Sequence, residues 1–308
     1  MGPYLSAPKT EKKTATGANR RMRFAACEMQ GWRISMEDAK IASLDIDSDT
    51  SLFGVFDGHG GKEVAEFVTR HFGRELLQNH NFRSGNIADA LKEVYLYMDQ
   101  LLETDEGKKE LFRIARDLPP DYPVNNEDVN CMAGCTAVVA LVKGNKLYVA
   151  NAGDSRCVLC RGGNAVEMTK DHKPDLPEEK QRIEKAGGVV EDGRVMGNLN
   201  LSRSIGDMEY KKTQGVGPEE QMITAYPDLS EQELSEQDEF ILLACDGVWD
   251  MMTWQQVVDF VKQRKGTEPS KILENLLDNC LAQDVGSSGG LGCDNMTAIL
   301  VEFTHPLT

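Results

Sequence analysis

Apolar residues recur along this chain with two periods. Over Lys62 to Gln78, Val64, Phe67, Val68, His71, Phe72 and Leu76 fall three and four positions apart, which predicts a helix with one face in the core and puts His71 in packing rather than catalysis. Asn86 stands where it can cap a second helix, in which Ile87, Leu91, Val94, Met98 and Leu101 share a face. Pro177 to Ala186 predicts a third helix, stopped by Gly187-Gly188. Thr253 with Gln256 makes a capping-box pattern ahead of Val257, Val258 and Val261, and Lys271 to Leu281 carries a further stripe.

Between these lie short apolar runs of strand length: Leu52 to Phe56, Cys135 to Val142, Leu147 to Ala150, Cys157 to Cys160, Phe240 to Cys245 and Met296 to Phe303. The turn Lys143-Gly144-Asn145-Lys146 joins two of them as a hairpin, so neighbouring strands are expected to be antiparallel. Several runs are apolar at nearly every position, which requires both faces of a sheet to be covered. An α+β fold follows: a β-sandwich of two mainly antiparallel sheets flanked by helices, in four layers, as one domain over residues 22–303. Thr104 to Asn130, with its double proline, reads as an irregular excursion. Asp171 to Asn200 mixes a short helix with glycine turns and reads as a flap near a site.

Charge refines this picture. The 308 residues carry 34 Lys+Arg against 50 Asp+Glu, a formal −16. Six of the cations and one acid fall within residues 1–23, so the body is more acidic still, and no Lys or Arg occurs from Thr213 to Val261. A nucleic-acid partner is disfavoured, because phosphate-backbone binding rests on clustered cations. No apolar run is long enough for a transmembrane helix and the start has no secretory signal. The protein is expected inside the cell, cytoplasmic or nuclear, as a monomer. Residues 1–21 read as a flexible basic leader and 304–308 as a tail. The Met1-Gly2-Pro3-Tyr4-Leu5-Ser6 start loosely fits Gly2 acylation, with weak membrane attachment as the alternative and Pro3 a poor fit. The eight cysteines, spread through apolar runs, read as reduced core residues, including the lone Cys157-Val158-Leu159-Cys160.

The chemistry lies in a repeated junction. Strand-like runs end in Asp57-Gly58 and Asp246-Gly247, Gly153-Asp154 follows another, Asp294 precedes the run from Met296, and Glu37-Asp38 follows Trp32-Arg33. One Asp-Gly is ordinarily a turn. Five carboxylate-bearing segments brought to one sheet end would repel, and they need metal or protons to coexist. Oxygen ligands favour Mg²⁺ or Mn²⁺, and no zinc-type His or Cys spacing competes. Asp45 to Asp49 begins like a calcium loop but lacks its glycine and its terminal glutamate. Gly58-His59-Gly60-Gly61 lacks the Lys-Ser/Thr of a P-loop.

Together, MQGWRISMEDAK, FGVFDGHGG, GCTAVV, VANAGDSR, LNLSRSIGD, LLACDGVWD and GCDNMTAILV resemble, in order, the metal-dependent protein serine/threonine phosphatases (PPM family, type 2C). The resemblance implies phosphorylated protein substrates and two Mg²⁺ or Mn²⁺ ions. Asp57 would bridge them, Glu37 and the Gly58 carbonyl would serve one, and Asp246 and Asp294 the other. Asp154 and Asp250 would offer a weaker third site. Arg33 would hold the phosphate, Asp38 would support bound water, His59 would protonate the leaving oxygen, and residues 171–200 would contact substrate. A pseudophosphatase acting as a binding module, a small-molecule phosphomonoesterase and a metal-independent glycosidase are the competing readings.

Overall fold

The structure, a computed structural model, describes residues 4–124 and 131–304. Tyr4–Ala18 (β1) and Met22–Arg33 (β2) form a long hairpin, whose turn is tied by the Asn19 side chain accepting from the N–H groups of Arg21 and Met22 at 2.9 and 3.0 Å. Ala39–Ser43 (β3), Thr50–Phe56 (β4) and the two-residue Gly58–His59 (β5) lead into Glu63–Gln78 (α1), His80–Arg83 (α2), Ile87–Glu103 (α3) and Asp105–Ala115 (α4). Gly134–Cys135 (β6), Ala137–Lys143 (β7), Lys146–Ala152 (β8), Arg156–Arg161 (β9) and Asn164–Glu167 (β10) follow. Then come Pro177–Lys185 (α5), Val190–Glu191 (β11), Arg194–Val195 (β12), Ile205–Gly206 (β13), Asp228–Glu233 (β14) and Asp238–Ala244 (β15). Asp246–Trp249 (α6), Trp254–Lys262 (α7), Pro269–Cys280 (α8), Val285–Ser288 (α9) and Met296–Phe303 (β16) complete the order.

Two antiparallel sheets, β1-β2-β16-β15-β9-β10 and β14-β8-β7-β4-β3, stack face to face. Strand β4 shows why its run is apolar throughout: Phe53 and Val55 point between the sheets, while Leu52 and Phe56 point into the layer under α1 and α3. In β15, Ile241 and Leu243 face the other sheet, and Phe240 and Leu242 face α7 and α8. The expected helix–sheet–sheet–helix layering is the observed one. A smaller sheet, β13-β6-β5, sits where the sandwich ends in the acidic junctions.

Three expectations change in detail, and the capping box is borne out. The leader is not a flexible arm: β1 extends the six-stranded sheet, pairing with β2 from Tyr4 opposite Arg33 to Ala18 opposite Arg23. Its cations meet acids of the body, Lys12 Nζ reaching Asp278 at 2.5 Å and Lys13 reaching Glu28 at 3.6 Å, so the charge that suggested a solvated tail helps dock a strand. Gly2 lies outside the described residues. The excursion from Thr104 begins with α4, capped by Thr104 Oγ1 accepting from the Gly107 N–H at 3.0 Å; residues 125–130 are outside the description. Asn86 occupies the N-cap of α3 without a capping bond, its amide donating instead to Asp89 at 2.7 Å. The Thr253–Gln256 capping box forms in both directions.

All eight cysteines are free thiols. Cys157 and Cys160, three apart on β9, project to opposite faces of the sheet, so they cannot act as a pair. His71 packs its ring 4.2 Å from Phe67, and its Nε2 pairs with Glu110 at 2.8 Å. Among the described residues no helix is long and apolar enough to cross a membrane.

Candidate metal and phosphate site

At one end of the sandwich the chain leaves β2, β4, β8 and β15 and enters β16, and each of these junctions carries an acid. They converge on one cleft of about 340 Å³, lined by Arg33, Glu37, Asp57, Gly58, His59, Asp154, Asp246 and Asp294 together with Ser35, Thr136, Asn200 and Asn295. Eight of the ten residues singled out in the sequence therefore share a cavity. Asp38 lies buried beside it, one of its oxygens within 4.8 Å of Asp57 and Cys245 ligand atoms. Asp250 is exposed, one turn beyond Asp246 on a chain segment where its N–H donates to the Asp246 carbonyl at 2.8 Å.

Two glycines set how closely the junctions approach. A Cβ on Gly58 would stand 2.3 Å from the Glu37 carbonyl oxygen, and one on Gly247 would stand 2.2 Å from the Asn295 carbonyl oxygen. Either contact would force the backbones apart, so each Asp-Gly is needed for the junction next to it as well as for its own turn. The resemblance gives Gly58 a carbonyl toward one ion; its missing side chain also admits the Glu37 backbone.

Several residues that carried no assigned role hold the acids in place. Asn295 ties three segments together: its Oδ1 accepts from the Glu37 N–H at 2.9 Å, and its Nδ2 donates to the Gln30 and Ser35 carbonyls at 2.8 and 2.9 Å. Thr136 Oγ1 lies 2.8 Å from Ser155 Oγ, and the Thr136 N–H donates to the Asp57 carbonyl at 2.9 Å. Asp207 accepts from His59 Nε2 at 2.8 Å. It follows Gly206, a Gly-Asp junction like Gly153-Asp154, and that pattern was the available signal.

Electrostatics separates this cluster from ordinary surface acids. Burial pushes the Asp57 carboxyl well above its usual range, and Asp38, Asp246, Asp294 and Asp154 push it further in the same direction. Asp246 is raised well above its range by burial and then by Asp154, Asp294 and Asp250. Asp38 is pushed up to about 7, chiefly by burial, and neither of its oxygens has a hydrogen-bond partner of normal geometry. Burial likewise holds Cys245 as a neutral thiol, its sulfur accepting from the Thr297 N–H at 3.1 Å. The unsatisfied donor set is thus oxygen alone, the chemistry that suits hard divalent cations.

Two cations touch the cluster. Arg33, the one Lys or Arg lining the cleft among the described residues, reaches Asp294 Oδ2 through Nη2 at 2.5 Å, while its buried Nε has no partner. Lys173, from the start of the 171–200 segment, hydrogen-bonds Asp154. Partial desolvation raises the Asp250 carboxyl, Asp154 adds to this, and Lys173 and Arg156 oppose it. Asp154 and Asp250 therefore feel each other, but with a lysine already on Asp154. For His59, burial pulls the imidazole pKa down, yet the hydrogen bond and charge of Asp207, with Asp154 and Glu37, outweigh it and the net direction is up.

Comparison with known proteins gives a consistent result. The family described as protein phosphatase 2C matches residues 22–289. The chain is 54% identical over 307 residues to a probable protein phosphatase 2C 3 of Paramecium tetraurelia, covering 98% of this chain and 99% of that protein. It is 42% identical over 334 residues to a probable protein phosphatase 2C 21 of Arabidopsis thaliana, covering 99% and 94%. Among solved structures, a phosphatase from a pathogenic strain of Toxoplasma gondii superimposes with a TM-score of 0.73 at 25% identity, covering 95% and 96% of the two chains.

Proposed function

Because the chain belongs to the protein phosphatase 2C family, metal-dependent hydrolases acting on phosphoserine and phosphothreonine in proteins, we propose that Glu37, Asp57, the Gly58 carbonyl, Asp246 and Asp294 hold two Mg²⁺ or Mn²⁺ ions in the cleft. Bound there, the pair supplies a water acidic enough to attack at neutral pH and offsets the charge of the phosphoryl oxygens. The observation that supports this reading most is Asp57 itself, a half-buried carboxylate at the cleft whose dominant charged neighbours are four other aspartates. Such a site is unfavourable unless protons or metal compensate it.

The chain's own residues do the rest. Arg33, at the lining of the cleft, offers the planar fork of its guanidinium to the phosphate. Asp38, buried beside Asp57, accepts from water at the edge of the cluster. As the bond between phosphorus and the seryl or threonyl oxygen breaks, its electron pair stays on that oxygen. His59 supplies the proton from Nδ1, the ring nitrogen with no hydrogen bond among the described residues, while Nε2 remains on Asp207. Asp154 and Asp250 form the weaker third site, reached when Lys173 yields Asp154. The 171–200 flap, whose end brings Asn200 to the cleft, contacts substrate. Eight free thiols, nearly all buried, suit a reducing, intracellular compartment.

Phosphate release from a phosphothreonine peptide, measured with Mn²⁺, Mg²⁺ and excess chelator, tests the reading. Turnover that needs either ion and stops on chelation is expected; full turnover in chelator contradicts it. Faster hydrolysis of a sugar phosphate than of the peptide would favour the phosphomonoesterase, and no turnover of either at saturating metal the binding module.

A further inference from the structure

His59 and Asp207 are 148 positions apart in sequence, yet the small sheet β13-β6-β5 brings them together by construction. His59 is the second residue of β5, Asp207 directly follows β13, and β6 runs between the two strands, with Gly134 opposite both His59 and Gly206. A Cβ on Gly134 would stand 2.2 Å from Asp207 Oδ2 and 2.7 Å from His59 Nε2. The pair therefore occupies the space that a side chain on the central strand would fill. Its 2.8 Å bond reaches across a strand only because that strand carries glycine at this position.

The Asp207 side of the pair is fixed on several fronts. Its backbone is left-handed at φ 52°, which aspartate tolerates better than most residues, and its N–H donates to the Ala133 carbonyl at 3.1 Å. Ser204 Oγ donates to the same Oδ2 that receives His59. Beneath, the buried pair Lys211–Asp99 at 2.6 Å staples the segment to α3: Asp99 Oδ1 accepts from the Gly206 N–H at 2.8 Å, and Lys211 donates to the Ser204 carbonyl at 2.8 Å. A surface-accessible acid would not need such support.

We infer that Asp207 is a positioning residue for the dephosphorylation reaction: it keeps the proton of the neutral His59 ring on Nε2 and aims the ring so that Nδ1 serves the leaving oxygen. The inference rests on the general-acid reading of His59 given above. A carboxylate can only accept, so it selects one tautomer; an asparagine amide presents both a donor and an acceptor and selects neither.

Two measurements on the full chain test this and separate its failure from that of the acid reading. First, ¹⁵N NMR of the imidazole in metal-free protein, at alkaline pH where the ring is neutral, should show His59 protonated on Nε2 in the wild type and tautomer-averaged in Asp207→Asn. Unchanged ring shifts in that variant overturn the positioning role whatever the activity does. Second, kcat on a phosphothreonine peptide and on p-nitrophenyl phosphate is compared at saturating Mn²⁺. Asp207→Asn and Gly134→Ala should each lose about 10²-fold on the peptide, within the range of a general acid's contribution, and only a few-fold on the aryl ester. Adding Asp207→Asn to His59→Gln should cost nothing further on the peptide. Independent, multiplying losses, or equal losses of Asp207→Asn on both substrates, overturn the inference. Equal losses of His59→Gln on both substrates instead overturn the acid role of His59.

Discussion

Two clusters of carboxylates in the molecule are compensated in opposite ways. Within residues 171–200, Glu179 of α5 is 1% exposed and accepts from Arg182 Nη1 at 2.7 Å and Arg203 Nη2 at 2.6 Å, while Arg203 Nη1 continues to Asp228 at 2.8 Å. Burial would raise the Glu179 carboxyl, but the two arginines outweigh it and hold it low; Asp228 is held far lower by His172 and Arg203. In the cleft, Asp57, Asp246 and Asp38 are pushed up, because burial acts and the neighbours are acids. One network carries its own countercharge and is finished structure. The other, on the reading proposed above, is a set of oxygen ligands that Arg33 and Lys173 offset only in part, leaving the rest to metal or protons.

This contrast predicts effects of different kinds. The largest falls on activity: Asp57→Asn should lower kcat on a phosphothreonine peptide by about 10³-fold or more, roughly 4 kcal/mol of barrier, with far-ultraviolet circular dichroism unchanged. An active variant would place the ligands elsewhere. Next, Glu179→Gln should cost about 3 kcal/mol of folding stability in urea, since it leaves two largely buried arginines facing a neutral amide. Because the folded-state Glu179 is held below its ordinary 4.5, the stability it gives is present above that pH and lost as pH falls through the folded value. The deficit of Glu179→Gln against wild type should therefore shrink in acid; a deficit that grows in acid would contradict the pairing. Smaller again, metal-free Asp57→Asn should melt above metal-free wild type, by an amount on the order of 1 kcal/mol, as one repelled carboxylate is removed. A lower melting temperature would mean that Asp57 is compensated within the chain.

The smallest effect concerns the N-terminal strand. Deleting residues 1–20 removes β1 and leaves β2 as the sheet edge. Turnover per folded molecule should hold, because the catalytic junctions lie after β2 begins, while the melting temperature falls by about 2–4 °C for each kcal/mol lost. An unchanged melting temperature would return β1 to the role of a dispensable arm.

Much of this was legible in the residues because it is local. The runs at Leu52–Phe56 and Phe240–Cys245, apolar on both faces, required a covered sheet, and the sandwich supplies it. Asp57-Gly58 and Asp246-Gly247 pointed to strand ends, and both open into the cleft. What escaped was non-local or disguised. Strand β1 is rich in Thr and Lys, with Tyr4 and Leu5 its only large apolar side chains, so its partner decides its structure. Helix α4 was hidden by its charges and by the prolines that follow it. The bond from His59 to Asp207, and the three-way tie made by Asn295, join segments far apart in the chain, and no spacing within a window encodes them.

The central claim, that the cleft carboxylates await metal while the flap network does not, is tested most directly by thermal unfolding of chelator-treated protein with and without added Mn²⁺. A ligand at about 100 times its dissociation constant contributes roughly 2.7 kcal/mol to the folded state. Wild type should therefore rise by several degrees on adding Mn²⁺, and Asp57→Asn should barely respond. Equal shifts in the two proteins, or no shift in wild type, would contradict the claim.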